Sequence, residues 1–266
     1  METPPESFPI ETPQPDAPKT SLVARIFNVF ATPSEVFDEV RTSLPCSANW
    51  VVPALIAVAI GWLATALIFS QESIRHQLSE MTEQAIEKQI AKTKASEQQA
   101  QQMRAAAEKF GGIAQKISAY AMAPIMAFAS PFIWGSFLWL MGNKALKGQF
   151  TYMQAVEVVG LGNMVGVLES VIRTLLIISM GNLFASTSLL LLVKEYNPQN
   201  PVHNLLAMVN IMTFWVLGVR SVGLARLSGA SFLKSAAWVF GVWAAYTGVF
   251  FGFGLAIQAI TSRFTG

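Results

Sequence analysis

Residues 51–69 read VVPALIAVAIGWLATALIF, 19 residues without a charged side chain. A helix rising about 1.5 Å per residue needs roughly 20 apolar residues to cross a hydrocarbon core about 30 Å thick. This stretch predicts a membrane span. Residues 120–141 and 236–260 are two more uncharged runs, and 205–224 hold a single charge, Arg220, close to the end of the run. Residues 155–178 are apolar apart from Glu157, Glu169 and Arg173. The expectation is an all-α polytopic membrane protein with five transmembrane helices.

Composition points the same way. The 266-residue chain is 53% hydrophobic and 13% charged, where a soluble domain carries about 25% charged residues. A formal charge of +2 excludes a strongly basic nucleic-acid binder, so no nucleic-acid partner is expected. A single cysteine, Cys46, excludes an internal disulfide framework and any multi-cysteine metal site. The two histidines, His76 and His203, leave little for imidazole chemistry, and no metal or cofactor is expected.

Residues 183–193 (LFASTSLLLLV) are too few, at 11, to cross a bilayer. A re-entrant or interfacial helix is the preferred reading. The alternative joins them with 175–179 as a sixth span, which leaves almost no residues for a turn and moves the C-terminus to the other side. Orientation follows from Lys and Arg in short loops. Lys144 and Lys147 lie between spans two and three, and Arg226 and Lys234 between four and five, with Arg25 and Arg41 ahead of span one. The other side has only Lys194 and Arg263 in its short segments. A cytoplasmic N-terminus and an external C-terminus satisfy this pattern. The segment 71–117 carries seven Lys/Arg, but its 47-residue length weakens their influence.

The polar parts complete the domain plan. Residues 1–20 are Pro- and acid-rich and read as a disordered tail without the features of a signal peptide. Residues 21–49 read as two cytosolic amphipathic helices. One has a stripe of Leu22, Ile26, Val29 and Phe30 lying on the inner leaflet. The second opens on a capping box, Thr32-Pro33-Ser34-Glu35, and buries Val36, Phe37 and Val40. Residues 50–262 form the membrane domain, with 71–117 an external polar helical insertion. Its Glu, Gln, Lys and Ala favour helix, either as one long rod or as a hairpin, with a break expected at Gly111-Gly112. A solvated helix pair is preferred over a coiled-coil partner surface.

Charges inside a membrane are functional candidates, at about 2.5–3.5 kcal/mol each on insertion scales. Glu157, Glu169, Arg173, Asn210 and Arg220 form a candidate intramembrane polar network. Within it, Glu169 and Arg173 share a helix face, and Glu157 and Arg220 lie at similar depth on antiparallel spans. The expected pairs are Glu169–Arg173 and Glu157–Arg220. Asn163 and Asn210 are expected to bond between helices. Gly162–Gly166 and Gly248–Gly252 match GxxxG and mark close helix packing. Catalytic motifs are missing: no P-loop, no HExxH, and no Ser–His or Glu–His set within the spans.

One stretch has a family likeness. Thr32-Pro33-Ser34-Glu35-Val36-Phe37-Asp38-Glu39-Val40 precedes a Trp-led first span, and 197–229 reads NPQNPVHNLLAMVNIMTFWVLGVRSVGLARLSG. With the basic loop 144–149 (KALKGQ) and Val158-Val159-Gly160, the chain resembles bacterial members of the Yip1 domain family over residues 21–262. The resemblance implies five membrane helices, a cytosolic N-terminus and no catalytic residues. Eukaryotic members act in vesicle traffic with small GTPases and carry an Asp-Leu-Tyr-Gly-Pro motif near the first span. That motif is missing here, so GTPase binding is not carried over. The expected function is a non-catalytic scaffold or organiser of a bacterial inner membrane. Its partners would be the lipid bilayer and a second copy or another membrane protein. The alternative is a small transporter or channel subunit using the intramembrane Glu and Arg residues.

Overall fold

A computed structural model describes residues 20–193, 196–197 and 200–265, with side chains to Gly254. The acidic tail expected over residues 1–20 lies outside the described residues except for Thr20. Ten α-helices occupy the described residues: α1 (Leu22–Ala31), α2 (Pro33–Thr42), α3 (Ala48–Ser70), α4 (Glu72–Thr93), α5 (Glu97–Leu140), α6 (Tyr152–Gly162), α7 (Met164–Met180), α8 (Pro201–Met208), α9 (Ile211–Ser228) and α10 (Phe232–Thr265). Five candidate spans are long and apolar enough to cross a membrane: α3, α5, α6 with α7, α9, and α10. The five-span, all-helical reading stands.

Helix α6 is the hub. Its residues from Gln154 to Gly162 are all buried, and it packs against α2, α3, α5 and α9. Glycine makes this approach possible. A Cβ on Gly160 would sit 2.5 Å from the Trp50 backbone of α3, and one on Gly223 of α9 would sit 2.2 Å from Val158. Gly135 of α5 meets Val156 in the same way, at 2.9 Å. The GxxxG expectation is corrected here. Gly166, Gly248 and Gly252 have nothing within 4 Å, and Gly162 makes only ordinary contact with Val219. The close approaches fall on glycines outside both motifs.

The N-terminal helices pack against the helices of the bundle. They form an antiparallel pair, with the Thr20 backbone N–H donating to Glu39 Oε1 at 2.8 Å, and both enter the bundle. Phe37 packs beside Gly223, and the Phe30 ring lies 6.0 Å from that of Trp215. At 1.5 Å per residue, Trp215 is roughly 20 Å along α9 from its Ser228 end. At that same end Arg226 pairs with Asp38 at 3.2 Å, and Arg41 donates to the Arg226 carbonyl at 3.1 Å. The α1–α2 pair therefore runs in beside α9 and returns. The outward side of the pair is mixed: α1 exposes Val23, Phe27 and Asn28, α2 exposes Glu35 and Arg41, and Arg25 is buried. The Thr32 capping box does not form: its side chain makes no cap bond, and Pro33 alone marks the helix start.

At the opposite end, 71–117 is a hairpin built onto the bundle. α4 turns back through Lys94, which takes a left-handed conformation at φ 48°, and α5 opens on a Ser96–Gln99 capping box. Glu87 and Arg104 close the hairpin with bonds of 2.7 and 3.0 Å, and Arg104 holds the Glu87 carboxyl below its ordinary pKa. No break occurs at Gly111-Gly112. α5 runs on for 44 residues, because the cost of about 1 kcal/mol for each glycine is small beside the packing of the helix, with Gly111 facing Thr82 of α4. Ile74 and Leu78 bury against Ile177 and Ala185, so the insertion is seated on the bundle rather than solvated all round.

Residues 183–193 are neither a sixth span nor the re-entrant or interfacial α-helix expected. Gly181 ends α7 in a left-handed cap, and only one short turn of 3₁₀ helix, Leu189–Leu192, follows. Serine and threonine supply competing bonds, such as Ser188 Oγ accepting the Leu190 N–H at 3.2 Å. The strap pairs Ser188 with Asn210 in an isolated antiparallel bridge. Asn210 then caps α9, so residues 205–208 of the expected fourth span belong to α8 instead. The third span is likewise divided, at Asn163.

These contacts predict that Gly160→Ala lowers unfolding stability in detergent by about 1–3 kcal/mol, the usual cost of overpacking, whereas Gly248→Ala leaves it within about 0.5 kcal/mol. Thermal or denaturant unfolding of the two variants side by side checks this.

Candidate functional site

Three polar clusters sit inside the bundle. The first opens α6. Thr151 and Gln154 form a reciprocal capping box, and the Gln154 amide nitrogen also donates to the Val40 and Arg41 carbonyls at 3.2 and 3.0 Å. One turn on, the Glu157 carboxylate accepts from the Cys46 backbone N–H at 2.9 Å and from Asn49 Nδ2 at 2.6 Å. Glu157 is 1% exposed, and buried Arg25 acts on it electrostatically. Together Gln154 and Glu157 fasten the end of α2, the connection after it and the start of α3 to α6.

The second cluster lies deeper. Arg220 Nη2 donates to Asn163 Oδ1 at 2.9 Å, and Asn163 Nδ2 donates to Ser130 Oγ at 3.3 Å. The guanidinium also lies 4.3 Å over the Trp134 ring, an arrangement worth roughly 0.5–2 kcal/mol. None of the ion pairs within 4 Å among the described residues includes Arg220. The third cluster joins α7, the strap and α9. Asn210 Oδ1 accepts from the Met212 N–H at 2.8 Å and from Thr187 Oγ1 at 2.9 Å, while its Nδ2 donates to Glu169 Oε1 at 2.6 Å.

The five residues read as one network are thus distributed over separate clusters, and neither expected ion pair forms. Side chains on a helix lean toward its N-terminus. α6 and α9 run antiparallel, so Glu157 leans toward the α2–α3 connection while Arg220 leans the other way, toward Asn163. Glu169 is taken by Asn210, and Arg173 is exposed on α7, outside every ion pair among the described residues. The interhelical roles expected of Asn163 and Asn210 are present.

Several partners escaped the sequence reading. Arg25 falls on the apolar stripe between Leu22 and Ile26, and a charge at such a position is a signal of a buried partner. Gln154 is marked by its capping-box spacing from Thr151. Asn49 and Trp134 carry no comparable signal. Among the described residues, no three His, Cys, Asp or Glu side chains group as metal ligands.

Five helices long and apolar enough to cross a bilayer define an integral membrane protein. The Yip1 domain family model matches residues 27–254, and the chain belongs to the Yip1 domain family. The family is one of non-enzymatic membrane proteins. Comparison with curated proteins and with solved structures gave no match.

A bond to a buried carboxylate is worth about 1.5–3 kcal/mol, so Asn49→Ala should cost that much stability. In a Glu157→Gln background the same change should cost at most about 1 kcal/mol, the worth of a neutral bond. A double-mutant cycle in unfolding free energy measures the difference.

Proposed function

We propose that this Yip1-domain protein is a non-catalytic organiser of membrane shape in a bacterial inner membrane, acting as a wedge. The observation that carries the reading is the α1–α2 pair, which packs alongside α9 at one end of the bundle, whereas at the other end the α4–α5 hairpin projects beyond the end of α3. Placed in a bilayer about 30 Å thick, a pair reaching roughly 20 Å along α9 widens chiefly one leaflet. That leaflet is then favoured on the convex side.

The basic turns support a cytoplasmic N-terminus and an external C-terminus. Arg41 and Arg226 lie at the α1–α2 end, where the short turns bearing Lys144, Lys147 and Lys234 also fall. The proposed partners are the bilayer itself and a second copy or another membrane protein, with no nucleic acid and no cofactor. A transporter reading has less support. Glu157, Glu169 and Arg220 make local hydrogen bonds, and neither the cleft between α4 and α5 nor the one beside Trp238 on α10 is lined by them or by Arg173.

Sorting between a flat vesicle and a thin tether drawn from it tests the wedge. Protein inserted with the α1–α2 end in the outer leaflet should enrich on the tether, and protein inserted the other way should be depleted. Equal density on tether and vesicle in both orientations would contradict it.

A further inference from the structure

We infer that the strap, residues 183–193, forms with the start of α9 a lipid-contacting anchor at the hydrocarbon edge of the leaflet opposite the α1–α2 pair. A surface facing acyl chains carries no charge, turns aliphatic side chains outward and pairs its own backbone polar groups. No Asp, Glu, Lys or Arg occurs from Gly181 to Val193, nor from Asn200 to Val219. Leu192 is 80% exposed and Ile211 70%, and Leu189, Leu191 and Val209 are exposed as well. Leu189 N–H donates to the Val209 carbonyl at 3.0 Å, and Leu191 and Val193 N–H donate to the Ser188 and Leu190 carbonyls at 3.2 and 3.0 Å. With Leu190 N–H held by Ser188 Oγ, four of the five N–H groups from 189 to 193 are bonded within the protein.

The depth follows from the length of α9. Ile211 and Arg226 are 15 residues apart, a rise of about 22 Å. Arg226 is exposed and pairs with Asp38, so it stands at or outside one hydrocarbon boundary. Ile211 then stops at least about 8 Å short of the other boundary of a core about 30 Å thick, and tilt only shortens the rise. The Ser188–Asn210 bridge ties the strap to that level. Ile211 and Trp215 are both exposed one turn apart on α9, so the leucines of the strap continue the lipid-facing side of a span.

Acyl chains already border that side, and they are the occupant assigned. The Asn210 cap of α9 and its bond to Glu169 then lie below the headgroups. One turn of 3₁₀ helix adds far less to this leaflet than the two ten-residue helices α1 and α2 add to the other.

A nitroxide at position 192 provides the test. Leu192→Cys is placed in a Cys46→Ser background, labelled, and reconstituted in phosphatidylcholine vesicles. Collisions with oxygen, which concentrates in hydrocarbon, are compared with collisions with a water-soluble nickel chelate. Labels on Leu63→Cys, exposed along the α3 span, and on Gln98→Cys, exposed near the hairpin turn, give the lipid and water references. The label at 192 should favour oxygen, as at 63. Leu191→Cys repeats the measurement at a second exposed position, and unfolding temperatures matching the Cys46→Ser parent verify that both variants fold. Preference for the nickel chelate, as at 98, would overturn the anchor by placing the strap in water. Loss of both kinds of collision would overturn it as well, because a second copy or another protein would then cover the leucines. Neither result depends on curvature, so the anchor and the wedge fail separately.

Discussion

A helix buried on all sides within a membrane bundle has to let its neighbours come close and has to satisfy its own polar ends. α6 meets the first demand with glycine at three crossings, Gly135, Gly160 and Gly223. Lipid tails are as apolar as the helices, so association rests on close packing rather than on hydrophobic transfer. It meets the second with Gln154 and Glu157, which take up backbone groups where α2 ends and α3 begins. Those groups are buried where water is scarce, and an unpaired one costs several kcal/mol. The N-terminal pair is thus held by its polar seams as well as by its apolar faces.

Three of the charges on the spans bond to a neighbour on another element: Glu157 to the α2–α3 connection, Arg220 to the Asn163 break, Glu169 to the cap of α9. They mark the places where helices stop, break or turn. In hydrocarbon those are the places where backbone polar groups lose their helical partners.

The span count was legible in the sequence because uncharged runs of about 20 residues have few other uses. Boundaries were less so. Asn210 looks like any polar residue in an apolar run until its cap geometry divides α8 from α9. Gly111-Gly112 looks like a hinge, yet with α4 packed beside it α5 stays helical through both glycines. The apolar stripe of α1 was readable, but the same stripe suits a helix packed on the bundle and one lying on a leaflet. Glu157 and Arg220 shared a depth in sequence, and only the opposed lean of their side chains separates them.

The account rests on the N-terminal pair entering and leaving the bundle on one side. Single cysteines at 20, 31 and 147, placed in a Cys46→Ser background and probed with a membrane-impermeant maleimide, test this most directly. Positions 20 and 147 should react from the same face of the membrane, and position 31 from neither. Reaction at position 31 from either aqueous phase, or at 20 and 147 from opposite faces, would contradict it.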